Sequence, residues 1–189
     1  MVVQFRKVIH ISGALIPVFA GNDILGKNLT IALLVSGLVA YLFLEAIKHK
    51  ISPSFLTLVY REYEINGFAV EPFSYLISVI SLLTLSLFIN EKLCFAAVAI
   101  LAAGDGFAGV IGRRYGKHRL YFNKNKSWEG SISGFVAASV TGFYYAGPIA
   151  IAGSAFGMFA GAVNKHDNVA VPYAALISMV AIQWIATMI

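Results

Sequence analysis

Apolar residues along the chain fall into seven long stretches separated by short polar segments. The stretches cover residues 8–21, 28–47, 73–90, 93–112, 130–147, 148–163 and 169–188. Because an α-helix needs about 20 apolar residues to cross the hydrocarbon core of a bilayer, the pattern predicts an all-α, polytopic transmembrane bundle of about seven helices. The first and sixth stretches are shorter than this, so six crossings are an alternative.

Composition places the chain outside the range of soluble proteins. It is 59% hydrophobic and 12% charged, with a mean hydropathy of +0.78, whereas soluble domains contain about 25% charged residues. We therefore expect residues 1–189 to form a single integral membrane domain. The net charge of +5 does not indicate nucleic-acid binding, because no soluble domain is present to carry a basic surface.

The distribution of basic residues predicts the orientation. If the N-terminus is cytoplasmic, every one of the 14 Lys and Arg residues lies on the cytoplasmic side except Lys27 and Lys92. Cytoplasmic loops of membrane proteins retain Lys and Arg. The sequence thus predicts a cytoplasmic N-terminus and a cytoplasmic face that attracts an anionic partner.

One carboxylate, Asp105, lies inside the fourth apolar stretch. Such a residue costs at least ~2.5 kcal/mol on insertion scales and persists mainly beside a cation, a metal or a water-filled cavity. On a helix, Gly109 and Gly112 share its face. Because glycine has no side chain to keep a ligand away, a carboxylate on the same helix face as two glycines suits a metal ion with bound phosphates that lie against the helix. The alternative is a helix-packing stripe in which Asp105 pairs with a nearby lysine.

The segment before the fifth stretch adds a second polar cluster. Lys126 and Ser127 can donate to phosphate oxygens, and Glu129 stands at the start of the next helix, where a carboxylate suits the helix dipole. A loop of about 17 residues separates this cluster from the helix of Asp105. We expect Asp105 and Glu129 to share Mg²⁺; simple helix capping is the alternative for Glu129.

Two further clusters flank these. Asp167 and Asn168 begin the seventh helix, either as site residues or as an N-cap. Near the N-terminus, Arg6 and His10 lie one turn apart beside Lys7, on the same predicted face of the membrane.

Glycine spacing predicts close helix packing. Three glycines, Gly153, Gly157 and Gly161, follow one another at intervals of four, as do Gly130 and Gly134. Small residues at this spacing let helices approach closely in lipid. We also expect the connector at residues 48–72 to be an ordered interfacial segment or a short amphipathic helix.

Together these residues resemble the CTP-dependent polyprenol kinase family, which includes dolichol kinase, phytol kinase and the fungal-type CTP-dependent diacylglycerol kinase. The matching motifs occur in order along the chain: Arg6-Lys7-x-x-His10, Gly104-Asp105-x-x-Ala108-x-x-x-Gly112 with Tyr115-Gly116-Lys117, Lys126-Ser127-x-Glu129-Gly130, and Asp167-Asn168-x-x-Val171-Pro172. One departure is Trp128, where the family often has a smaller residue.

The resemblance implies Mg²⁺-dependent transfer of the γ-phosphate of CTP to the hydroxyl of a membrane lipid, either a polyprenol or isoprenoid alcohol or a diacylglycerol-like lipid. Asp105 is then the metal ligand, with Glu129 or Asp167 assisting. Asp167 or His10 is the general base, and Asp167 is preferred because a base beside the metal is easiest to position. The expected nucleotide-binding residues are Gly109, Gly112, Arg113, Arg114, Lys117, Lys126, Ser127 and Asn168, and the expected substrate-interface residues are Arg6 and Lys7.

Two other functions use the same residues. A CTP:lipid-phosphate cytidylyltransferase needs the same metal and nucleotide but makes a CDP-lipid and pyrophosphate. An ion-coupled transporter with Asp105 as the coupling residue would need polar residues through the full membrane depth, and the outer halves of the helices are nearly free of charge. The absence of a soluble domain favours a prokaryotic or archaeal cell membrane, while the acceptor lipid and the oligomeric state stay open.

Overall fold

The computed structural model describes residues 2–22, 25–52, 56, 60 and 62–188, and within them the side chains from Lys7 onward except those of Glu62 and Tyr63. The described residues contain ten α-helices and no strand beyond one isolated β-bridge. The all-α prediction is confirmed. The helices are α1 (Val2–Ser12), α2 (Ile16–Ala20), α3 (Gly26–Ile47), α4 (Glu62–Ile65), α5 (Val70–Leu85), α6 (Glu91–Ala99), α7 (Gly106–Tyr115), α8 (Trp128–Ala146), α9 (Ile149–Val163) and α10 (Asp167–Met188).

Three helical segments are long and apolar enough to cross a membrane: Gly26–Lys50, Glu91–Tyr115 and Asp167–Met188. Three further apolar helices are shorter, at Lys7–Ala20, Val70–Leu85 and Ile149–Val163. The bundle is thus that of a helical membrane protein, and the number of seven crossings stays a prediction.

The first apolar stretch is not the continuous helix that its hydropathy predicts. Helix α1 ends at Ser12, a single 3₁₀ turn covers Gly13–Leu15, and α2 begins with Pro17 in its first turn. Proline has no N–H to donate and its ring clashes with the preceding turn, so it is best tolerated in the first turn of a helix. A 3₁₀ turn therefore separates α1 from α2 within the first apolar stretch.

Segment Glu91–Tyr115 lies at the centre of the bundle. Its most apolar window is 67% buried, against 6% for Gly26–Lys50, which lies at the periphery. Ile100 and Leu101 on the central segment are fully buried, and so are Leu82 on α5 and Met179 on α10. The central segment therefore fixes the positions of its neighbours.

The central segment is not α-helical throughout. Residues Ile100–Asp105 form a π-helical turn between α6 and α7, and Asp105 is its last residue. Wide i→i+5 turns of this kind are rare and often occur at functional sites. Hydropathy carries no signal for such a turn, so the sequence did not predict it.

The predicted glycine contacts are confirmed. A Cβ atom on Gly134 of α8 would lie 2.7 Å from the carbonyl oxygen of Gly104, and one on Gly130 would lie 2.8 Å from that of Ala108. A Cβ on Gly157 of α9 would lie 2.8 Å from the carbonyl oxygen of Val171 on α10. These glycines permit backbone-to-backbone packing, which holds α7, α8, α9 and α10 in fixed geometry.

The connector after α3 is ordered in its described residues. Lys48 Nζ donates to Glu45 Oε1 at 2.5 Å and to the backbone oxygens of Glu64 and Gly67. The backbone N–H of Ala69 donates to the same Glu45 oxygen at 3.1 Å. This network fixes the short helix α4 against the end of α3, as expected for an ordered interfacial segment.

Candidate active site

A cavity of about 720 Å³ opens where the predicted polar clusters meet. Its lining comes from α1, from residues 64–74, from α7, from the loop between α7 and α8, and from the turn between α9 and α10. Segments more than 100 residues apart in the chain therefore contribute to one site. The residues that line it include Lys7, Glu64, Asp105, Gly109, Gly112, Arg113, Arg119, Lys126, Ser127, Lys165, Asp167 and Asn168.

Asp105 enters the cavity paired with Lys7. Lys7 Nζ donates to Asp105 Oδ2 at 2.7 Å, and the two side chains are only 14% and 19% exposed. His10 Nε2 lies 3.4 Å from the same carboxylate oxygen. The cost of a carboxylate at this depth is thus offset by a cation from α1.

Tyr75 on α5 orients His10, and no feature of the sequence indicated it. Its hydroxyl donates to the His10 carbonyl oxygen at 3.2 Å, and the two ring centroids are 4.2 Å apart. A Cβ on Gly13 would overlap the Tyr75 hydroxyl. Gly13, in the 3₁₀ turn after α1, therefore leaves the space that the Tyr75 side chain occupies beside His10.

A second ion pair lies on another wall of the cavity. Lys126 Nζ donates to Asp167 Oδ2 at 2.6 Å and also to the Gly161 carbonyl oxygen. Asp167 Oδ1 is buried and has no hydrogen-bond partner. Asp167 is close enough to Asp105 and Lys7 for their charges to act on it. The two carboxylate–lysine pairs therefore share one electrostatic environment.

The loop of residues 116–127 positions Lys126. Arg119 and Ser127 form an antiparallel β-bridge, and the Leu120 N–H donates to the Lys126 carbonyl oxygen at 3.0 Å. Asn123 Nδ2 donates to the Ala162 carbonyl oxygen at 2.8 Å, which ties the loop to the end of α9. The sequence predicts only a loop of about 17 residues between the two helices, and backbone pairing makes it a compact hairpin.

Gly109 and Gly112 line the cavity, but protein atoms fill most of the space that they leave. A Cβ on Gly109 would lie 2.7 Å from Lys7 Cε, and one on Gly112 would lie 3.3 Å from Ser127 Oγ. The missing side chain of Gly109 thus leaves room for Lys7, and that of Gly112 lets α7 pack against α8. Ser127 Oγ accepts from the Gly130 N–H at 3.1 Å, so it caps α8.

Glu129 does not line the cavity. Its carboxylate accepts from the His118 N–H at 3.1 Å and lies 2.6 Å from His118 Nδ1. Hydrogen bonds from its own backbone N–H and from His118 lower the pKa of Glu129 to about 2. The structure therefore places Glu129 at the base of the hairpin, not beside Asp105.

The remaining predicted residues divide into two groups. Arg113 lines the cavity, and its Nε donates to the Gly109 carbonyl oxygen at 3.0 Å. Asn168 also lines it and ties α10 to α5 through a 2.9 Å bond to the Glu71 carbonyl oxygen. Arg114, which lies over the ring of Tyr115, and Lys117 are exposed outside the lining. The side chain of Arg6 lies outside the described residues.

Two lining cations were missing from the sequence-based set, Arg119 and Lys165. Arg119 follows the predicted Lys117 by two residues, and only the β-bridge shows which of them faces the cavity. Lys165 precedes Asp167 by two residues in the turn between α9 and α10. Both add positive charge to a cavity that already holds Lys7 and Lys126.

The residues present fit Mg²⁺ brought by a polyphosphate. Within the described residues, no group of three or more His, Cys, Asp or Glu side chains lies close enough to hold a metal by itself. Mg²⁺ is typically bound by one or two carboxylates together with substrate phosphates and water. Asp105, Asp167 and the surrounding cations match that chemistry, and the buried Oδ1 of Asp167 has a free acceptor position.

Fold and cavity together define a class: a helical membrane protein with a cavity lined by lysine–carboxylate pairs and further cations. Within that class, the chain belongs to the cytidylyltransferase family, whose sequence profile matches residues 6–187. No solved structure matches the fold.

Several similar proteins are named as kinases of isoprenoid alcohols. The chain is 47% identical over 53 residues to probable phytol kinase 1, chloroplastic, of Oryza sativa, which covers 26% of this chain and 17% of that protein. It is 41% identical over 61 residues to farnesol kinase, chloroplastic, of Arabidopsis thaliana, covering 30% and 20%. Over 138 residues it is 28% identical to phytol kinase 1, chloroplastic, of Arabidopsis thaliana, covering 69% and 44%.

These relatives confirm the resemblance to the polyprenol kinases. Each match spans less than half of the relative's length. The relatives are named as chloroplastic proteins of plants, so the expectation of a prokaryotic or archaeal membrane is not borne out.

Proposed function

We propose that this protein is a lipid-alcohol kinase that transfers the γ-phosphate of CTP to the hydroxyl of an isoprenoid alcohol within the membrane. The observation that carries the proposal is the convergence of the Lys7–Asp105 and Lys126–Asp167 pairs on one cavity between membrane helices. The relatives named as phytol and farnesol kinases support the acceptor class. The choice of CTP rests on family membership.

The cations of the cavity would bind and orient the triphosphate. Lys7, Lys126, Arg113, Arg119 and Lys165 all line it. Phosphoryl transfer depends on positioning and charge stabilisation more than on covalent help from the protein. Asp105 would hold Mg²⁺, which when bound neutralises charge on the terminal phosphates.

Asp167 is the preferred general base. The lipid hydroxyl gives its proton to Asp167 Oδ1, the buried oxygen without a hydrogen-bond partner. The hydroxyl oxygen forms a bond to the γ-phosphorus as the bond from that phosphorus to the bridging oxygen breaks, and CDP leaves. His10 is less suited to this role because its ring packs on Tyr75 and does not line the cavity.

Cytidylyl transfer is the second candidate, favoured by the name of the matching family. It would use the same cations and metal but would join CMP to a lipid phosphate and release pyrophosphate. The two reactions differ in the phosphate of CTP that is joined to the lipid: the γ-phosphate in the kinase and the α-phosphate, as part of CMP, in the cytidylyltransferase.

Labelled CTP separates the candidates. The purified full chain is incubated with Mg²⁺ and either α- or γ-labelled CTP, together with phytol, farnesol or their monophosphates. We expect the γ-label in the lipid fraction when the free alcohol is supplied. An α-label in the lipid fraction when the monophosphates are supplied, with release of pyrophosphate from CTP, would establish the cytidylyltransferase instead. Transfer of neither label would refute both.

A further inference from the structure

The hairpin of residues 116–127 presents aromatic side chains to its surroundings at a point where the chain leaves the bundle. Tyr121 at its tip is 96% exposed, and Phe122 beside it is 54% exposed. Leu120, the preceding residue, points inward and is only 2% exposed. Trp128 and Tyr115, which flank the hairpin, are 55% and 54% exposed. Four large aromatic residues thus surround one ordered loop.

The same segment is strongly basic. Residues 113–129 contain six Lys or Arg residues against a single acidic residue, Glu129. Lys126 is engaged by Asp167 and Glu129 by His118. Lys117 and Lys124 are exposed, and neither pairs with a carboxylate in the part of the chain that the structure describes. Their charge is therefore available to an external anionic partner.

The hairpin cannot move far from the bilayer surface. It joins the central segment Glu91–Tyr115, which is long enough to cross a membrane, to α8, which packs along that segment. The hydrogen bond from Asn123 to Ala162 and the β-bridge fix its shape. Aromatic rings prefer the headgroup level of a bilayer, and basic side chains there attract anionic lipids. A soluble protein partner would have to compete with headgroups for this position.

We propose that the hairpin, through Tyr121 and Phe122 at its tip and the exposed Lys117 and Lys124, inserts into the headgroup layer and binds anionic lipids. This inference goes beyond the proposed function and does not depend on which reaction the cavity performs. It has a consequence for the site, because Lys126 lies on the same hairpin, four residues after Phe122. Contact with anionic lipid would hold Lys126 at the depth where it meets Asp167.

A tryptophan placed at the tip tests the proposal. The chain has two tryptophans, Trp128 and Trp184, so the reporter is Tyr121→Trp in a Trp128→Phe, Trp184→Phe background. The full chain is reconstituted in phosphatidylcholine vesicles with and without phosphatidylglycerol. Fluorescence is quenched either by brominated phosphatidylcholine, by brominated phosphatidylglycerol or by aqueous acrylamide. Comparing the two brominated lipids gives the preference of the tip for the anionic one.

We expect strong quenching by brominated lipid, weak quenching by acrylamide and a clear preference for phosphatidylglycerol. Adding Lys117→Gln or Lys124→Gln should lower that preference about fivefold for each charge, since one basic residue near an anionic surface contributes ~1 kcal/mol. The matched control is Lys92→Gln on the opposite predicted face, which should leave the preference unchanged. Efficient acrylamide quenching without quenching by lipid would overturn the proposal. Quenching by both brominated lipids to the same extent would refute its anionic part.

Discussion

Asp105 and Asp167 each reach the cavity in partnership with a lysine from a distant part of the chain. The pairs are short, at 2.7 and 2.6 Å, and partly buried. A buried ion pair contributes little net stability, but removing one partner leaves a costly uncompensated charge. Each lysine therefore compensates the charge of a partly buried carboxylate. In the proposed reaction, each would turn to a phosphate group of the nucleotide.

Replacement of Asp105 by Asn should reduce phosphoryl transfer about a thousandfold, because the variant lacks the negative charge that would hold Mg²⁺ at the triphosphate. The measurement is transfer of γ-label from CTP under saturating substrate, with thermal unfolding as a check on folding. The control is Glu91→Gln, which removes a comparable ion pair, to Lys27 at 2.7 Å, from the far end of the same segment. Near-normal turnover in Asp105→Asn would contradict the assignment.

Lys7→Met should have opposite effects on metal and nucleotide. Without its lysine, Asp105 becomes an unpaired carboxylate, so binding of Mn²⁺ alone should tighten about tenfold, equivalent to ~1.4 kcal/mol. Binding of CTP should weaken because a phosphate-binding cation is lost. Electron paramagnetic resonance of free Mn²⁺ measures the first effect. Lys165→Met, which removes a lining lysine that has no described ion pair, should weaken CTP binding without tightening Mn²⁺; equal Mn²⁺ affinities in both variants would rule out the competition.

At the scale of elements, the sequence predicts helices well and their irregularities poorly. Helices α3, α8, α9 and α10 begin and end within about two residues of the predicted apolar stretches, since length and hydropathy determine them. The 3₁₀ turn at Gly13–Leu15 and the π turn at Ile100–Asp105 depend on tertiary packing.

Tyr75 gave no signal because it is one aromatic residue in an apolar helix. Glu129 was expected near Asp105 because the hairpin's internal pairing is invisible in a single sequence.

Packing of α8 on the central segment predicts the effect of two glycine substitutions. Gly134→Ala places a methyl group 2.7 Å from the Gly104 carbonyl oxygen, and overpacking of this kind costs about 1–3 kcal/mol. Gly37→Ala on α3 is the control, because its Cβ meets nothing within 4 Å and alanine favours a helix. Thermal unfolding in detergent should show a loss of several degrees for Gly134→Ala alone. Equal melting temperatures would mean that the helices are not in contact there.

The hydrogen bonds between the Glu129 carboxylate and His118 predict a pH dependence of stability. The pKa of Glu129 is lowered to about 2 in the folded protein, below its ordinary value of about 4.3. The carboxylate therefore stabilises the fold above that ordinary value, and this contribution is lost as the pH falls toward 2. Glu129→Gln should lower the melting temperature at pH 7, and the difference from the parent should shrink between about pH 5 and pH 2. A constant difference across this range would exclude an ionic origin.

At the scale of the whole molecule, the charged cavity and most basic residues lie on one side of the bundle. Lys27 and Glu91 pair near the opposite ends of their helices, and Lys92 is exposed beside them. This separation agrees with the orientation that the positive-inside rule predicts. The polar clusters that are scattered along the sequence therefore converge on one cavity.

Cysteine labelling tests this orientation. With Cys94, which is buried, replaced by Ala, the Lys117→Cys and Lys92→Cys variants each carry one exposed thiol. A membrane-impermeant maleimide should label Lys117→Cys only from the cytoplasmic side and Lys92→Cys only from the other. Labelling of both from the same side would contradict the predicted orientation.

The π turn before α7 has a consequence for comparing this chain with its relatives. A turn of this kind holds one more residue than an α-helical turn, and each residue of an α-helix advances the side-chain direction by about 100°. Deleting one residue from residues 100–104 would restore a regular helix and change the rotation of α7 little, because a π turn of six residues covers about the same angle as five residues of an α-helix. In an alignment, a single-residue gap at this position is therefore compatible with the same bundle and with an Asp105–Lys7 pair.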